Sequence, residues 1–270
     1  MIKVRVIPQL LIADGLLKKP VQFKRPRTVA NPISIARVFE SRQVDELILL
    51  DIGCAAHNSN VNPEIVAMIA EELTVPLAVG GGVTNLETAT DLIKAGAEKI
   101  VINTAAVETP ELIGKISSKF GSQCVVVSID ALEGESGGYE VMTRNGSEST
   151  GLDPVAWAEK AAQLGAGELL INSIGRDGTM EGYDIALVRS VAEAVDVPVV
   201  AAGGASSPEN CAEVVLKAGA AAVVVGALFH FRRITPNMVK EAMRDSGIPV
   251  RLPPNYEDVR SQQPISQPAS

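Results

Sequence analysis

The chain is poor in the side chains on which many binding chemistries depend. Aromatic residues make up 3% of it, too few for the stacking platforms that hold single-stranded nucleic acid. A net charge of −8 leaves no basic surplus for a nucleic-acid partner. Histidine occurs only at His57 and His230, too sparse for a His-based metal centre, and no Ser/His/Asp or Cys/His arrangement is visible. His230, between Phe229 and Phe231, reads as a packing residue near a rim. Cys54, Cys124 and Cys211 lack metal or redox spacing and read as reduced core residues. The apolar N-terminal stretch, MIKVRVIPQLLI, is too short for a membrane span and has no small-residue cleavage site. These absences imply a soluble cytoplasmic protein with no membrane segment, no metal and no cofactor.

What is present is apolar and repetitive. Of 270 residues, 46% are hydrophobic, which suits one large domain of the size of a (β/α)₈ barrel. Val125-Val126-Val127-Ser128-Ile129-Asp130-Ala131 has the β-branched run of a strand buried on both faces, closed by a carboxylate. The two halves around it look alike. Val75-Pro76 through Gly81-Gly82 is echoed by Val197-Pro198 through Gly203-Gly204, at an offset of 122 residues. Lys94-Ala95-Gly96-Ala97 recurs as Lys217-Ala218-Gly219-Ala220, at 123. Asp45-Glu46-Leu47-Ile48-Leu49-Leu50 matches Gly167-Glu168-Leu169-Leu170-Ile171-Asn172, at 122. Three echoes in order at nearly one offset indicate duplication. The expected fold is a (β/α)₈ barrel over residues 1–252, in half-barrels of about 1–122 and 123–252. Residues 253–270, rich in Pro, Ser and Gln, read as a disordered tail. Aligning the first strands of the halves sets Leu11 opposite Asp130.

In such barrels the chemistry lies at the C-terminal edge of the strands. Three carboxylates reach that edge: Asp51, Asp130 and Asp177. Asp130 is the candidate general acid/base, or a cap on the following loop. Asp177, in a Gly-rich turn, contacts substrate or makes a structural Asx turn. Gly-rich strand ends let backbone N–H groups approach a phosphate. Gly204 with Gly226 and Ala227 would form one such site, and Gly82 with Asn103 and Thr104 its repeat-related counterpart. Together they suit a small molecule with a phosphate at each end. Tight turns alone also need glycine. Residues 16–31 read as a long basic loop, with Lys18, Lys19, Lys24, Arg25 and Arg27, either a lid over an anionic substrate or a solvated loop. Residues 133–150 read as a hairpin over the mouth. At the opposite edge Arg5, Glu46, Lys99 and Glu168 lie at four strand starts. They form either a neutral charged ring at the bottom opening or ordinary rim charges.

Taken together, DELILLDI, VGGGV, KIVINTAAV, FGSQCVVVSIDA, RDGT, GYD, GGA and FHFR resemble the cyclase subunit of imidazole glycerol phosphate synthase, across roughly residues 1–252. The resemblance implies a duplicated (β/α)₈ barrel with a glutaminase subunit docked at its N-terminal face. Ammonia from glutamine then passes through the barrel to a bisphosphorylated ribulosyl-aminoimidazole at the mouth. Cyclisation and cleavage give imidazole glycerol phosphate and an aminoimidazole carboxamide ribotide. By the same resemblance Asp130 is one of two catalytic aspartates and Lys19 the mobile-loop lysine. Asp51 and Asp177 contact substrate, and the two phosphate sites are those already named. Arg5, Glu46, Lys99 and Glu168 match the ammonia gate.

The departure is in the first strand. The family's run there is close to Cys-Leu-Asp, and this chain reads Gln9-Leu10-Leu11, so the second catalytic aspartate is absent. Gly175, where the family usually carries an acid, is a lesser departure. A paralogous branch shares the Ile7-Pro8 and Leu10-Leu11 pattern, Phe23-Lys24-Arg25-Pro26 and Asn31-Pro32-Ile33. It resembles proteins associated with glycosyl amidation in surface-polysaccharide clusters, where ammonia is passed to a separate sugar amidotransferase. The leading expectation is therefore support of sugar amidation. The alternative is a working cyclase of histidine biosynthesis, and a third is a scaffold without activity.

Overall fold

A computed structural model describes residues 3–57, 59–134 and 137–252; the expected disordered tail, 253–270, lies outside the described residues. Eight apolar stretches form strands β1 (Arg5–Ala13), β2 (Leu47–Asp51), β3 (Leu77–Gly80), β4 (Lys99–Ile102), β5 (Val125–Glu133), β6 (Glu168–Ser173), β7 (Val199–Ala202) and β8 (Ala222–Val225). Each pairs in parallel with the next, and β8 pairs back onto β1 through Arg5↔Ala222 to Pro8↔Val225. The sheet is a closed (β/α)₈ barrel. Its strands are apolar on both faces because helices cover the outside and side chains fill the inside.

Several outer helices start by one device. Asn31, Asn62, Asp153, Ser207 and Thr235 each cap a helix whose first residue is proline: Pro32–Ser41, Pro63–Ala70, Pro154–Gln163, Pro208–Ala218 and Pro236–Asp245. The cap side chain accepts a backbone N–H that has no helical partner, and proline brings no N–H to satisfy. Asn31 Oδ1, for example, accepts from Ile33 N at 2.9 Å.

Residues 16–31 are not the loop their composition implies. They fold as a hairpin, Leu16–Val21 against Lys24–Ala30, whose first strand also pairs antiparallel with β1. Asp14 and Gly15, at φ 53° and 71°, make the two-residue turn that joins β1 to the hairpin, because Ala13 pairs with Leu16. Two successive positive φ values match the right-handed twist of paired strands, and Asp-Gly tolerates them best. At the tip Gln22 N donates to Asp177 O at 2.8 Å, and Gln22 Nε2 to Gly175 O at 2.9 Å. Phe23 lies against Gly146, where a Cβ would come within 3.1 Å of its ring. The expected hairpin within 133–150 is present as Tyr139–Thr143 and Glu148–Ser149, pairing back onto the extended end of β5. The two hairpin tips meet over the barrel mouth.

Candidate active site at the barrel mouth

The period of two along each strand builds the interior in layers. Ile7, Ile48, Ala78, Val101, Val126, Leu170, Val200, Ala222 and Val224 belong to one apolar cluster inside the barrel. Two residues below them, on β1, before β2, on β4 and on β6, lie Arg5, Glu46, Lys99 and Glu168. Two residues above come Gln9, Leu50, Asn103, Ser128 and Asn172. A further step brings Leu11 and Asp130 to the mouth. A charged floor, an apolar column and a polar mouth thus follow from strand alternation alone.

The four floor charges converge. Arg5 pairs with both Glu46 and Glu168. Lys99 Nζ lies 2.8 Å from Glu46 and 2.7 Å from Glu168. Both carboxylates are deeply buried, Glu46 at 2% and Glu168 at 4% exposure. Burial works against the Arg5 charge, but the opposing partners prevail: Glu168 and Glu46 hold its guanidinium above its ordinary value. Likewise Arg5 and Lys99 hold Glu168 below the usual range against its burial. Arg5 and Glu168 are therefore held in their charged forms.

The mouth opens into a cavity of about 740 Å³ lined by Leu11, Asp51, Gly82, Asn103, Thr104, Asp130, Asn172 and Asp177, among others. Asp130 is buried at its polar wall. Burial pushes its carboxyl up to about 7; the Ser128 hydroxyl, donating at 3.1 Å, and the Asn172 side chain pull it back, while the Asp177 charge adds to the rise. A carboxyl poised there can give or take a proton near neutrality. The opposite wall is different. Leu11 pairs in register with Leu50, as Asp130 pairs with Asn172. A polar pair in one half of the barrel faces an aliphatic pair in the other. Asp51 is half-buried and accepts from Gly53 N at 2.9 Å. Burial raises its carboxyl, opposed by hydrogen bonds from Gly53 and Cys54. Its Oδ1 makes an Asx turn as well as lining the cavity.

The two Gly-rich ends share a backbone design but differ in access. Asn103 (φ −121°, ψ −83°) and Gly226 (φ −115°, ψ −86°) precede the short helices Thr104–Glu108 and Ala227–Phe231 in nearly the same conformation. Side chains at Gly82 and Gly204 would collide with the backbone of Ser59 and of Gly182, so both glycines are also needed for loop packing. The Gly82 end faces the large cavity. There Asn103 Nδ2 donates to Ser128 O at 3.1 Å, and Thr104 Oγ1 accepts from Arg144 N at 3.0 Å. The end formed by Gly204, Gly226 and Ala227 is closed. It retains only about 10 Å³, because Lys19 extends from the hairpin and sets its ammonium where a Gly226 side chain would be. Lys19 is 4% exposed. Burial lowers its pKa, with the Asp177 carboxylate opposing, and Asp177 is raised by its own burial against the pull of Lys19. Among the described residues no hydrogen bond or ion pair reaches the Lys19 ammonium. Of the two Gly-rich ends expected to hold phosphates, one is open and the other holds the chain's own cation. Sequence reasoning also passed over Asn172. The signal available was the repeat, which sets Asn172 where the first half has Leu50.

A family model described as histidine biosynthesis protein matches residues 5–235. The chain is also 43% identical over 248 residues to the Streptomyces coelicolor protein named imidazole glycerol phosphate synthase subunit HisF, a match covering 92% of this chain and 98% of that protein.

Two outcomes follow for the site. Because burial raises Asp130 in the folded state, the native protein holds a proton there that the unfolded chain releases, and stability contributed by this group falls as pH rises toward 7. At 1.36 kcal/mol per pH unit, the displacement from 3.8 to about 7 is worth about 4 kcal/mol above pH 7. Asp130→Asn should therefore unfold at higher denaturant concentration than the parent at pH 8, with the gap closing toward pH 4; equal midpoints at pH 8 would show that the carboxylate is well solvated. Crystals soaked in millimolar phosphate should bind an anion beside Gly82, Asn103 and Thr104, and none beside Gly204 and Gly226 while Lys19 stays seated. Lys19→Ser should admit the second anion.

Proposed function

The chain belongs to the family of histidine biosynthesis proteins, and on that premise we propose that it is the ammonia-using cyclase subunit of an imidazole glycerol phosphate synthase. The observation that carries the proposal is the ring of Arg5, Glu46, Lys99 and Glu168 beneath an apolar column that leads to the mouth. A barrel interior is normally filled with aliphatic side chains, and four charges at its floor need a reason. Neutral ammonia can cross a dry apolar layer where an ammonium ion cannot, because an unpaired buried charge is costly. A glutaminase subunit docked on the N-terminal face would release ammonia at the ring. Asp130 would serve as general acid/base on a bisphosphorylated ribulosyl-aminoimidazole. Gly82, Asn103 and Thr104 would anchor one phosphate. Gly204, Gly226 and Ala227 would take the other once Lys19 withdraws, with Asp51, Asp177 and Lys19 contacting the substrate.

The near full-length match to a synthase subunit favours this reading over the sugar-amidation expectation, which rested on β1 and the hairpin alone. One observation still favours the second reading. Leu11 lies at the position of the family's second catalytic aspartate, and it lines the cavity beside its register partner Leu50. A missing acid/base group lowers rates by about 10²–10⁴-fold. In the second reading the barrel conducts ammonia without cyclising and passes it to a separate sugar amidotransferase.

Turnover of the bisphosphorylated ribotide with ammonium salt, which bypasses the glutaminase, separates the two. The first reading expects a rate within tenfold of ordinary cyclases. A rate 10²–10⁴-fold lower, restored in part by Leu11→Asp, selects the second. The conduit itself is tested with the cognate glutaminase bound. Lys99→Met leaves two buried carboxylates against Arg5 alone, an arrangement that costs about 3–5 kcal/mol unless the ring rearranges. Glutamine consumed per product formed should rise in this variant, with far less effect when ammonium salt is supplied from the open face. An unchanged ratio would make the ring purely structural.

A further inference from the structure

We propose that Asn172 is a positioning residue for Asp130, its carboxamide donating from the neighbouring strand to hold the carboxylate in place facing the cavity. The inference rests on Asp130 being the acid/base group of the proposed function, but its test does not.

Three observations carry it. Asn172 and Asp130 are direct register partners on β6 and β5, and both line the mouth cavity. Asn172 is 6% exposed, and its Oδ1 is fully buried with no hydrogen-bond partner. That oxygen lies against Gly203, where a Cβ would come within 2.8 Å of it. The missing side chain at 203 thus leaves the space that the amide oxygen occupies. A buried acceptor without a donor destabilises the fold, so Asn172 is not there for packing alone. With Oδ1 turned to Gly203, the NH₂ end is left for Asp130. The flipped amide would set a carbonyl oxygen beside a carboxylate and is disfavoured whenever Asp130 is ionised.

The surroundings leave this role open to few other groups. From β5 itself, Ser128 Oγ donates to Asp130 Oδ1 at 3.1 Å. From the turn after β6, the Asp177 carboxylate acts against ionisation of Asp130, and Lys19 of the hairpin opposes Asp177 in turn. β1 presents Leu11 and β4 presents Asn103, whose amide is already committed to Ser128 O and Met142 O. Ser128 and Asn172 are therefore the two donors that favour the carboxylate form. The first half of the barrel carries Leu11 and Leu50 in the matching pair, so an amide beside the mouth is not required by the fold.

The experiment is a ¹³C NMR titration of Asp-labelled full-length protein without substrate, with the Asp130 resonance assigned by its loss in Asp130→Asn. In Asn172→Leu the Asp130 midpoint should move up by about one pH unit, the size expected for one lost hydrogen bond to the charged form. The thermal midpoint should stay level or rise, because the substitution also removes the orphaned oxygen. A purely structural asparagine predicts the reverse: lower stability and an unmoved titration. An unchanged Asp130 midpoint in Asn172→Leu overturns the proposal. If that variant does not fold, Asn172→Ala gives the same reading without added bulk. Where turnover with ammonium is measurable, its pH profile should shift upward with the titration. A moved titration without turnover in the parent would leave the positioning role standing and count against the cyclase reading.

Discussion

Glu46 and Glu168 are buried carboxylates at the floor of a barrel, and neither is tolerable without both Arg5 and Lys99. Each cation bridges both anions, so the ring has no pair that can be removed on its own. The strands that supply these residues are β1, β4 and β6 together with the start of β2. The ring therefore ties together strands far apart in the chain. A second brace lies close by: Lys240 Nζ, on the last helix, binds Asp45 Oδ1 and Gln43 O, each at 2.8 Å, and Asp45 Oδ2 accepts from Val6 N at 2.9 Å. Aliphatic side chains of similar volume would close the floor at least as well, since buried ion pairs often break even against hydrophobic replacements. Stability alone therefore does not account for the four charges.

The mouth shows the opposite economy. Strand pairing brings Leu11 to Leu50 in one half and Asp130 to Asn172 in the other, so the same geometry serves an aliphatic wall and a polar one. Asp51 lines the cavity from the first half, while Asp130 is the single carboxylate of those two facing pairs. Its elevated carboxyl lets one group exchange a proton in both directions near neutrality. Lys19 deepens the asymmetry. It fills one Gly-rich end while the repeat-related end stays open.

Much of this was legible in the sequence because it depends on periodicity. The repeat offset located both Gly-rich ends, and strand starts located the four floor charges. Cap-then-proline pairs such as Asn31-Pro32 marked helix starts. The hairpin at 16–31 was half legible. Asp14-Gly15 is a turn signal, yet the return at Gln22-Phe23 uses two residues in the left-handed region, φ 50° and 60°, that carry no turn preference. That turn is held by tertiary contacts, Gln22 to Asp177 and Gly175 and Phe23 to Gly146, which no local pattern encodes. The seating of Lys19 was hidden for the same reason: its burial depends on where the hairpin lands. Asn172 could be aligned with Leu50, but its relation to Asp130 needs the β5–β6 register.

These features meet in the hairpin. Its first strand pairs antiparallel with the end of β1, and that pairing begins at Leu11, opposite Lys18. The next residue along, Lys19, reaches the Gly226 end, and three further on Gln22 is bonded to the backbone of Asp177, whose side chain faces Lys19. The position of Leu11, the plug in the second Gly-rich end and the latch on the turn after β6 thus lie on one continuous piece of backbone. Pulling that strand away would uncover the Gly226 end, remove the cation that offsets the Asp177 charge and leave that charge acting more strongly on Asp130. The seat of Lys19 and the charge environment of Asp177 and Asp130 are thus coupled through one strand.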